Sequence, residues 1–572
     1  MDCRGRVLSN EYFDVITNFP IPVLNIGDYD FCYASVDGLY YIVYVSQADI
    51  RNADEYIFEY KSVPKLYGLM QGETGERSFD PNSLIVSGIT QVQREPLSLT
   101  GQGVVVCIID TGIDYMNAAF RDSQGNSRIL AIWDQTIQEG TPPQGFYYGT
   151  EYTREEINQA IRSEDPYSVV PSRDEDGHGS SMAGVAAGSR LESGMGYLGA
   201  APDADIVVVK LKQAKDYLRD FYLVPPGVLA YQETDIMLGV QYADRFAEQF
   251  KRPVVICLGL GTSYGDHAGS APLPSYLDAV ASRRSRAVVV CGGNEGNAGH
   301  HFEGKMTPPQ RSGSTGGVPV EIRVGENCEG FLLELWGNVP DVFTVSVRSP
   351  GGETIPAIRL GIRDSITYSF VYERTRITIA GTLVEPASGE EVVLLRVVLP
   401  TAGIWTFTVE AVGSVHNGSF HMWLPITQFM NATAFFLEAS PYVTLTEPAM
   451  ARDVVSVSTY NAANNSFYAD SGRGFTRTGM VNPDFAAPGV NIPTIRGRET
   501  GSSLAAAITA GAVAQFLQWA VVEGNNPTVA TREIKNYFIR GASRGYDVMY
   551  PNREWGYGRL NVVGTFDALI GV

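Results

Sequence analysis

Three short stretches far apart in the chain each carry one member of a hydrolytic set, and any fold must bring them together. They are Cys107-Ile108-Ile109-Asp110-Thr111-Gly112, Asp176-Gly177-His178-Gly179 and Gly501-Ser502-Ser503-Leu504-Ala505. Asp110 ends an apolar run, which places an acid at the carboxyl end of a buried strand, where open α/β sheets put their sites. His178 begins a run of small residues, Gly179 to Gly188, that can pack as a helix closely against a strand. Ser503 precedes Leu504 to Val522, apolar on nearly every side and so read as a helix buried in a domain centre. A serine at that helix's positive end has its own N–H beside the anionic intermediate of acyl transfer. The expected roles are nucleophile for Ser503, general base for His178 and orienting acid for Asp110. Asn294, in Gly292-Gly293-Asn294-Glu295-Gly296, is the expected second donor to the oxyanion, and Gly259-Leu260-Gly261 the expected edge that pairs with an extended peptide.

A two-carboxylate peptidase is the sharpest rival, since Asp110-Thr111-Gly112 and Asp470-Ser471-Gly472 could be its two acids. Asn464 to Ala469, which precede the second acid, do not read as a buried strand, and this scheme leaves His178 and Ser503 unused. A net charge of −20, from 43 basic and 63 acidic side chains, speaks against nucleic acid or an anionic membrane as a partner. The six cysteines lie without CxxC pairs and are expected as reduced thiols. No cofactor and no metal are expected, and the acidic loop Arg173-Asp174-Glu175-Asp176 reads as a solvated loop rather than a calcium site. The first thirty residues lack a basic segment followed by a long apolar stretch, and no run of about 18 apolar residues is evident. Neither a signal peptide nor a membrane span is expected.

The chain divides by pattern. Residues 1–80 form a small α+β unit with strand-like runs Tyr40 to Val45 and Glu55 to Tyr60, followed by a polar connection, Gln71 to Ser78. From Gly103, short β-branched runs alternate with helical stretches, which predicts a parallel sheet covered on both faces. Between about 318 and 428 around nine strand-like runs replace this alternation, and the α/β pattern then resumes at Asp453. The expected units are 1–80, a catalytic domain in two parts, 81–302 and 436–572, and an all-β insert of sandwich or jelly-roll type, 303–435.

Ile109-Asp110-Thr111-Gly112-Ile113-Asp114, His178-Gly179, Leu260-Gly261, Gly293-Asn294-Glu295-Gly296, Ala486-Ala487-Pro488-Gly489-Val490 and Gly501 to Ala505 together resemble the subtilase family, over about 103–300 and 440–565. Trp555 to Asn561 resembles the family's closing segment. Two positions depart from its pattern: Ser502 stands where threonine is usual, and Ser180-Ser181-Met182 where Thr-His-Val is usual. Ser502 keeps a hydroxyl, so activity is expected, and the Met182 region bears on specificity more than on catalysis.

Within subtilases, the β-rich insert, the amino-terminal unit and the absence of an export signal resemble the Csp spore-germination proteases of clostridial type. Tyr67-Gly68-Leu69-Met70 and Ser87-Gly88-Ile89-Thr90 add to that likeness. The resemblance implies a subtilisin-like sheet sandwiched by helices, a jelly-roll insert and a prodomain that stays bound after self-cleavage. It further implies a protein substrate that is the zymogen of a spore-cortex lytic enzyme, and a spore-associated location after cytoplasmic synthesis. The expectation is an autoprocessing serine endopeptidase, its scissile bond between Met70 and Phe79, with Gln71 as the residue before that bond. A subtilase-fold pseudoprotease that binds or signals, and a general intracellular protease, are the alternatives.

Overall fold

Val105–Asp110 is buried at every position, with Val106 and Ile108 in one hydrophobic cluster and Val105, Cys107 and Ile109 in another. Alternate side chains thus feed two cores, one on each side of the sheet. The computed structural model describes residues 2–19, 32–47, 60–72, 83–190, 198–306, 317–357, 359 and 365–570.

Among these, nine strands make the main sheet, in the order Ser466–Phe467, Val455–Asn461, Arg286–Cys291, Val254–Leu258, Val105–Asp110, Asp205–Lys210, Ile129–Asp134 and Thr150–Thr153, with Phe485–Pro488 beside Val455–Asn461. The six central strands are parallel, and both edge strands run antiparallel. His178–Ala187, Ser502–Leu517 and Thr531–Gly541 pack in one core, and Glu233–Phe250 and Pro272–Ala281 in the other.

Ser502–Leu517 is buried at all sixteen positions and continues to Val522 through a wider turn. Contrary to the sequence expectation, this helix is long and apolar enough to cross a membrane, with a mean hydropathy of 1.5. Its spaced polar residues, Thr509 and Gln515, hide the run from a simple count. Most of it (83%) is buried inside the protein, the environment of a core helix.

Between His301 and Phe436 the described residues include the strands of two antiparallel sheets. One holds His301–Lys305, Ser419–Trp423, Gly330–Gly337, Glu391–Val398, Arg376–Thr382 and Ser365–Ser369; the other holds Thr354–Ile355, Phe343–Arg348, Gly403–Ala411, Val318–Val324 and Ala434–Phe436. Val393, Leu395 and Val397 from the first face Trp405, Phe407 and Val409 from the second in a shared core. This period of two is what a sheet covered on one face requires. The first strand begins just ahead of the expected start at 303.

The amino-terminal unit is a short helix, Cys3–Leu8, with three antiparallel strands, Tyr12–Thr17, Tyr40–Ser46 and Cys32–Val36. Residues 55–59 of the second expected strand and 73–78 of the connection lie outside the described residues. The unit is fastened to the catalytic body by a buried ion pair, Lys215 Nζ to Asp14 Oδ1 at 2.6 Å. Gln232 donates to the other carboxylate oxygen at 2.6 Å, and the Lys215 ammonium also donates to the carbonyls of Arg6 and Tyr12 at 3.0 Å. Burial lowers the Lys215 pKa even with this partner. Asp14→Ala strands the ammonium, so the first unfolding transition in chemical denaturation should lose about 3–5 kcal/mol. A loss below about 1 kcal/mol would show that the pair does not hold the unit in place.

Candidate active site

The parallel sheet delivers Asp110 to the carboxyl end of its strand, and the helix that begins with His178 crosses directly above it. Gly177 precedes that helix with φ +89, and its N–H donates to Asp174 Oδ1 at 2.8 Å. Gly179 lets the helix approach: a Cβ there would collide with the Gly112 carbonyl oxygen and lie 3.2 Å from Asp110 Cβ. Its N–H donates to Thr111 Oγ1 at 2.9 Å. The acids of the 173–176 loop are occupied by this architecture. Asp174 accepts from Ser180, Glu175 pairs with Lys210, and Asp176 accepts from the His178 N–H. No group of three or more His, Cys, Asp or Glu among the described residues could hold a metal ion.

Asp110, His178 and Ser503 meet. His178 Nδ1 lies 2.8 Å from Asp110 Oδ1, and His178 Nε2 lies 2.9 Å from Ser503 Oγ. Asp110 also accepts from the Thr111 N–H at 2.7 Å, and all three residues are at most 1% exposed. Hydrogen bonding on Nδ1 fixes the tautomer that leaves Nε2 able to accept the serine proton. Burial pulls the His178 pKa down, but the Asp110 carboxylate, with Asp176 and Asp174 beyond it, more than offsets this and the net shift from 6.5 is upward.

Asn294 accepts from the Ser502 N–H at 3.1 Å through its amide oxygen. That bond leaves Nδ2 as a buried donor with no partner, beside the first N–H groups of the nucleophile helix. An oxygen bearing developing charge would be stabilised by such a donor.

The groove itself is filled by the chain. Leu66–Leu69 forms a strand that pairs antiparallel with Leu260–Gly261 on one side and with Tyr231–Gln232 on the other. The Met70 N–H donates to the Gly259 carbonyl at 2.9 Å, the Ser503 N–H to the Met70 carbonyl at 3.4 Å and the Gly72 N–H to the Thr500 carbonyl at 2.8 Å. Gly501 leaves the room for this crossing, since a Cβ on it would lie 2.8 Å from the Met70 oxygen. The Met70 thioether accepts from Thr446 Oγ1 at 4.0 Å. The carbonyl on the Ser503 N–H therefore belongs to Met70, and Gln71, expected before the scissile bond, is the next residue along the groove. The apolar side chain takes the enclosed position because Met70 is 2% exposed, whereas Gln71 is exposed.

Sequence reasoning missed Thr446, Thr500, Tyr231 and Gln232. Thr500 could have been reached from its spacing to Ser503; the others carry no local motif. Met182, where the family pattern differs, packs its sulfur against Gly259, below the Met70 N–H.

The sequence matches the subtilase family (Peptidase_S8) over residues 101–323 and 431–558. The chain belongs to the subtilase family, and its site is that of a subtilase serine endopeptidase. The CspB protease of Clostridium perfringens is a similar solved structure, with 32% identity and a TM-score of 0.75 over 86% of this chain and 99% of that one. The serine protease AprX of Bacillus subtilis (strain 168) is 30% identical over 212 residues, a match that spans 36% of each chain.

A protonated His178 cannot take the serine proton, so peptide-bond cleavage at this site should fall with decreasing pH along a limb whose midpoint lies above 6.5. Asp110→Asn removes the charge that raises this pKa, so the midpoint should move downward while the rate drops about 10⁴-fold. Single-turnover rates across the pH range check this; coincident limbs in both proteins would contradict it.

Proposed function

We propose that this chain is an autoprocessing serine endopeptidase that cuts itself between Met70 and Gln71. Ser503 Oγ attacks the Met70 carbonyl carbon while its proton passes to His178 Nε2. The oxyanion is held by the Ser503 N–H and Asn294 Nδ2. Collapse breaks the Met70–Gln71 bond, with the His178 proton leaving on the Gln71 amine. Water then hydrolyses the acyl ester, releasing residues 1–70 with a new carboxylate. One observation carries the reading: the chain's own Leu66–Gly72 runs through the groove with the Met70 carbonyl on the Ser503 N–H. The amino-terminal unit is then a prodomain, kept in place after cleavage by the Asp14–Lys215 pair and the strand pairing.

The downstream role we assign is limited proteolysis of a protein zymogen, the lytic enzyme of the spore cortex, during germination, by a spore-associated protein. Similarity to CspB over nearly the whole of that chain supports this, as does the β-sandwich, which we read as the jelly-roll insert.

On a denaturing gel, purified wild-type protein should separate into a small amino-terminal piece and a large remainder, and Ser503→Ala should stay intact. Equal processing in both would contradict self-cleavage. A fluorophosphonate that labels the large piece only when Ser503 is present would separate this enzyme from a binding pseudoprotease.

A further inference from the structure

The groove has a third wall, supplied by the connection between the sandwich strands Ser419–Trp423 and Ala434–Phe436. Ile426 is fully buried, Phe429 is 1% exposed, and Thr427 to Phe429 form a single tight turn between them. The turn is tied down from the catalytic body. Glu295, next to Asn294, accepts from the Thr427 N–H and from the Thr427 hydroxyl at 3.0 Å each, and its carboxylate is held from the other side by His300 Nδ1 at 2.8 Å. From this anchored turn Gln428 reaches across the bound strand and donates through Nε2 to the Leu69 carbonyl at 2.8 Å.

Leu69 pairs with Leu260 and Gly68 with Gly261 on the opposite wall. The strand is thus bonded from both sides where it passes beneath Gln428. Gly68 is the residue under the turn. A Cβ on it would collide with Gln428 Nε2 and lie 2.6 Å from Gln428 Cδ and 2.7 Å from Ile426 Cδ1. Gln428 can withdraw only by giving up its bond to the Leu69 carbonyl, and Ile426 has no free space to enter because it is part of the core.

We propose that Ile426 and Gln428 are specificity-determining residues that admit only glycine at the third position before the cleaved bond, in the chain's own segment and in any protein substrate. Gln428 also donates to the carbonyl of the next residue, while the register itself is set by the bonds of Met70 and Gly72 to Gly259, Ser503 and Thr500. The inference rests on the self-cleavage reading for its catalytic consequence, while the packing it describes does not depend on cleavage.

The test uses the full chain. Gly68→Ala should slow self-processing at least about tenfold, the scale of forcing one methyl group into a packed site. Adding Ile426→Val and Gln428→Ala to Gly68→Ala removes all three obstructing atoms and should restore most of the wild-type rate. Wild-type speed in Gly68→Ala, or no recovery in the triple variant, would overturn the proposal. The same combinations on Ser503→Ala keep the two readings separable, because there the amide hydrogen exchange of Met70 and Gly72 reports occupancy of the groove without chemistry. Gly68→Ala should raise that exchange at least about tenfold and the added pair should reverse it. Unchanged exchange would overturn the proposal, whereas a wild-type chain that never cleaves while this exchange pattern holds would count against self-cleavage alone.

Discussion

Backbone pairing of Leu66–Gly72 with the walls of the groove decides which peptide bond faces Ser503. The pairing uses main-chain groups of Gly259, Leu260 and Gly261 on one edge and Tyr231 and Gln232 on the other, so it is indifferent to most side chains. A shift by one residue would exchange the side chains facing in and out, moving buried Met70 out and exposed Gln71 into the space beside Thr446. The hydrogen-bond ladder and the burial of Met70 therefore agree on one register. The nucleophile is equally constrained. Ser503 belongs to a helix buried on every side, where the Thr509 hydroxyl donates to the Ala505 carbonyl and Gln515 Nε2 donates to the carbonyls of Ile89, Leu99 and Ala200, tying the helix to the loops beside it.

The β-sandwich is coupled to the catalytic body through aromatic and imidazole stacking rather than through a flexible tether. His267, from the loop after Leu260–Gly261, stacks on Trp423 of the sandwich at 3.9 Å, and His301 and His421 stack with the same indole. Burial pulls the pKa of His267 and of His301 down to about 3, so the cluster is neutral and packs as an apolar surface at ordinary pH. The turn at Thr427–Phe429 belongs to this attached unit and is tied to the catalytic body by Glu295, so it stands as a fixed wall.

Much of this was legible in the sequence, and the reasons are local. Val105–Asp110, Val254–Leu258 and Arg286–Cys291 are short β-branched runs whose near-continuous burial marks a parallel sheet, and His178 and Ser503 both lie in the first turn of helices that their neighbours announce. Glycine-rich stretches located the substrate edge because close approach of two backbones excludes side chains. What was not legible depended on contacts between distant segments. Gln71 was expected before the scissile bond, whereas the carbonyl on the Ser503 N–H is that of Met70, and the contacts that set this register come from Gly259, Thr500 and Ser503, none of them near in sequence. Gln428, in a turn of the sandwich, and Thr446, in the segment after it, carry no local motif and acquire their places through contacts with distant residues, the Leu69 carbonyl and the Met70 thioether.

The carboxyl end of the small fragment speaks most directly to the register on which the site depends. Intact-mass spectrometry of the processed protein should give an amino-terminal fragment that ends at Met70, with the large fragment beginning at Gln71. A fragment ending at Gln71, or anywhere in the polar stretch beyond it, would contradict the placement of the Met70 carbonyl at Ser503.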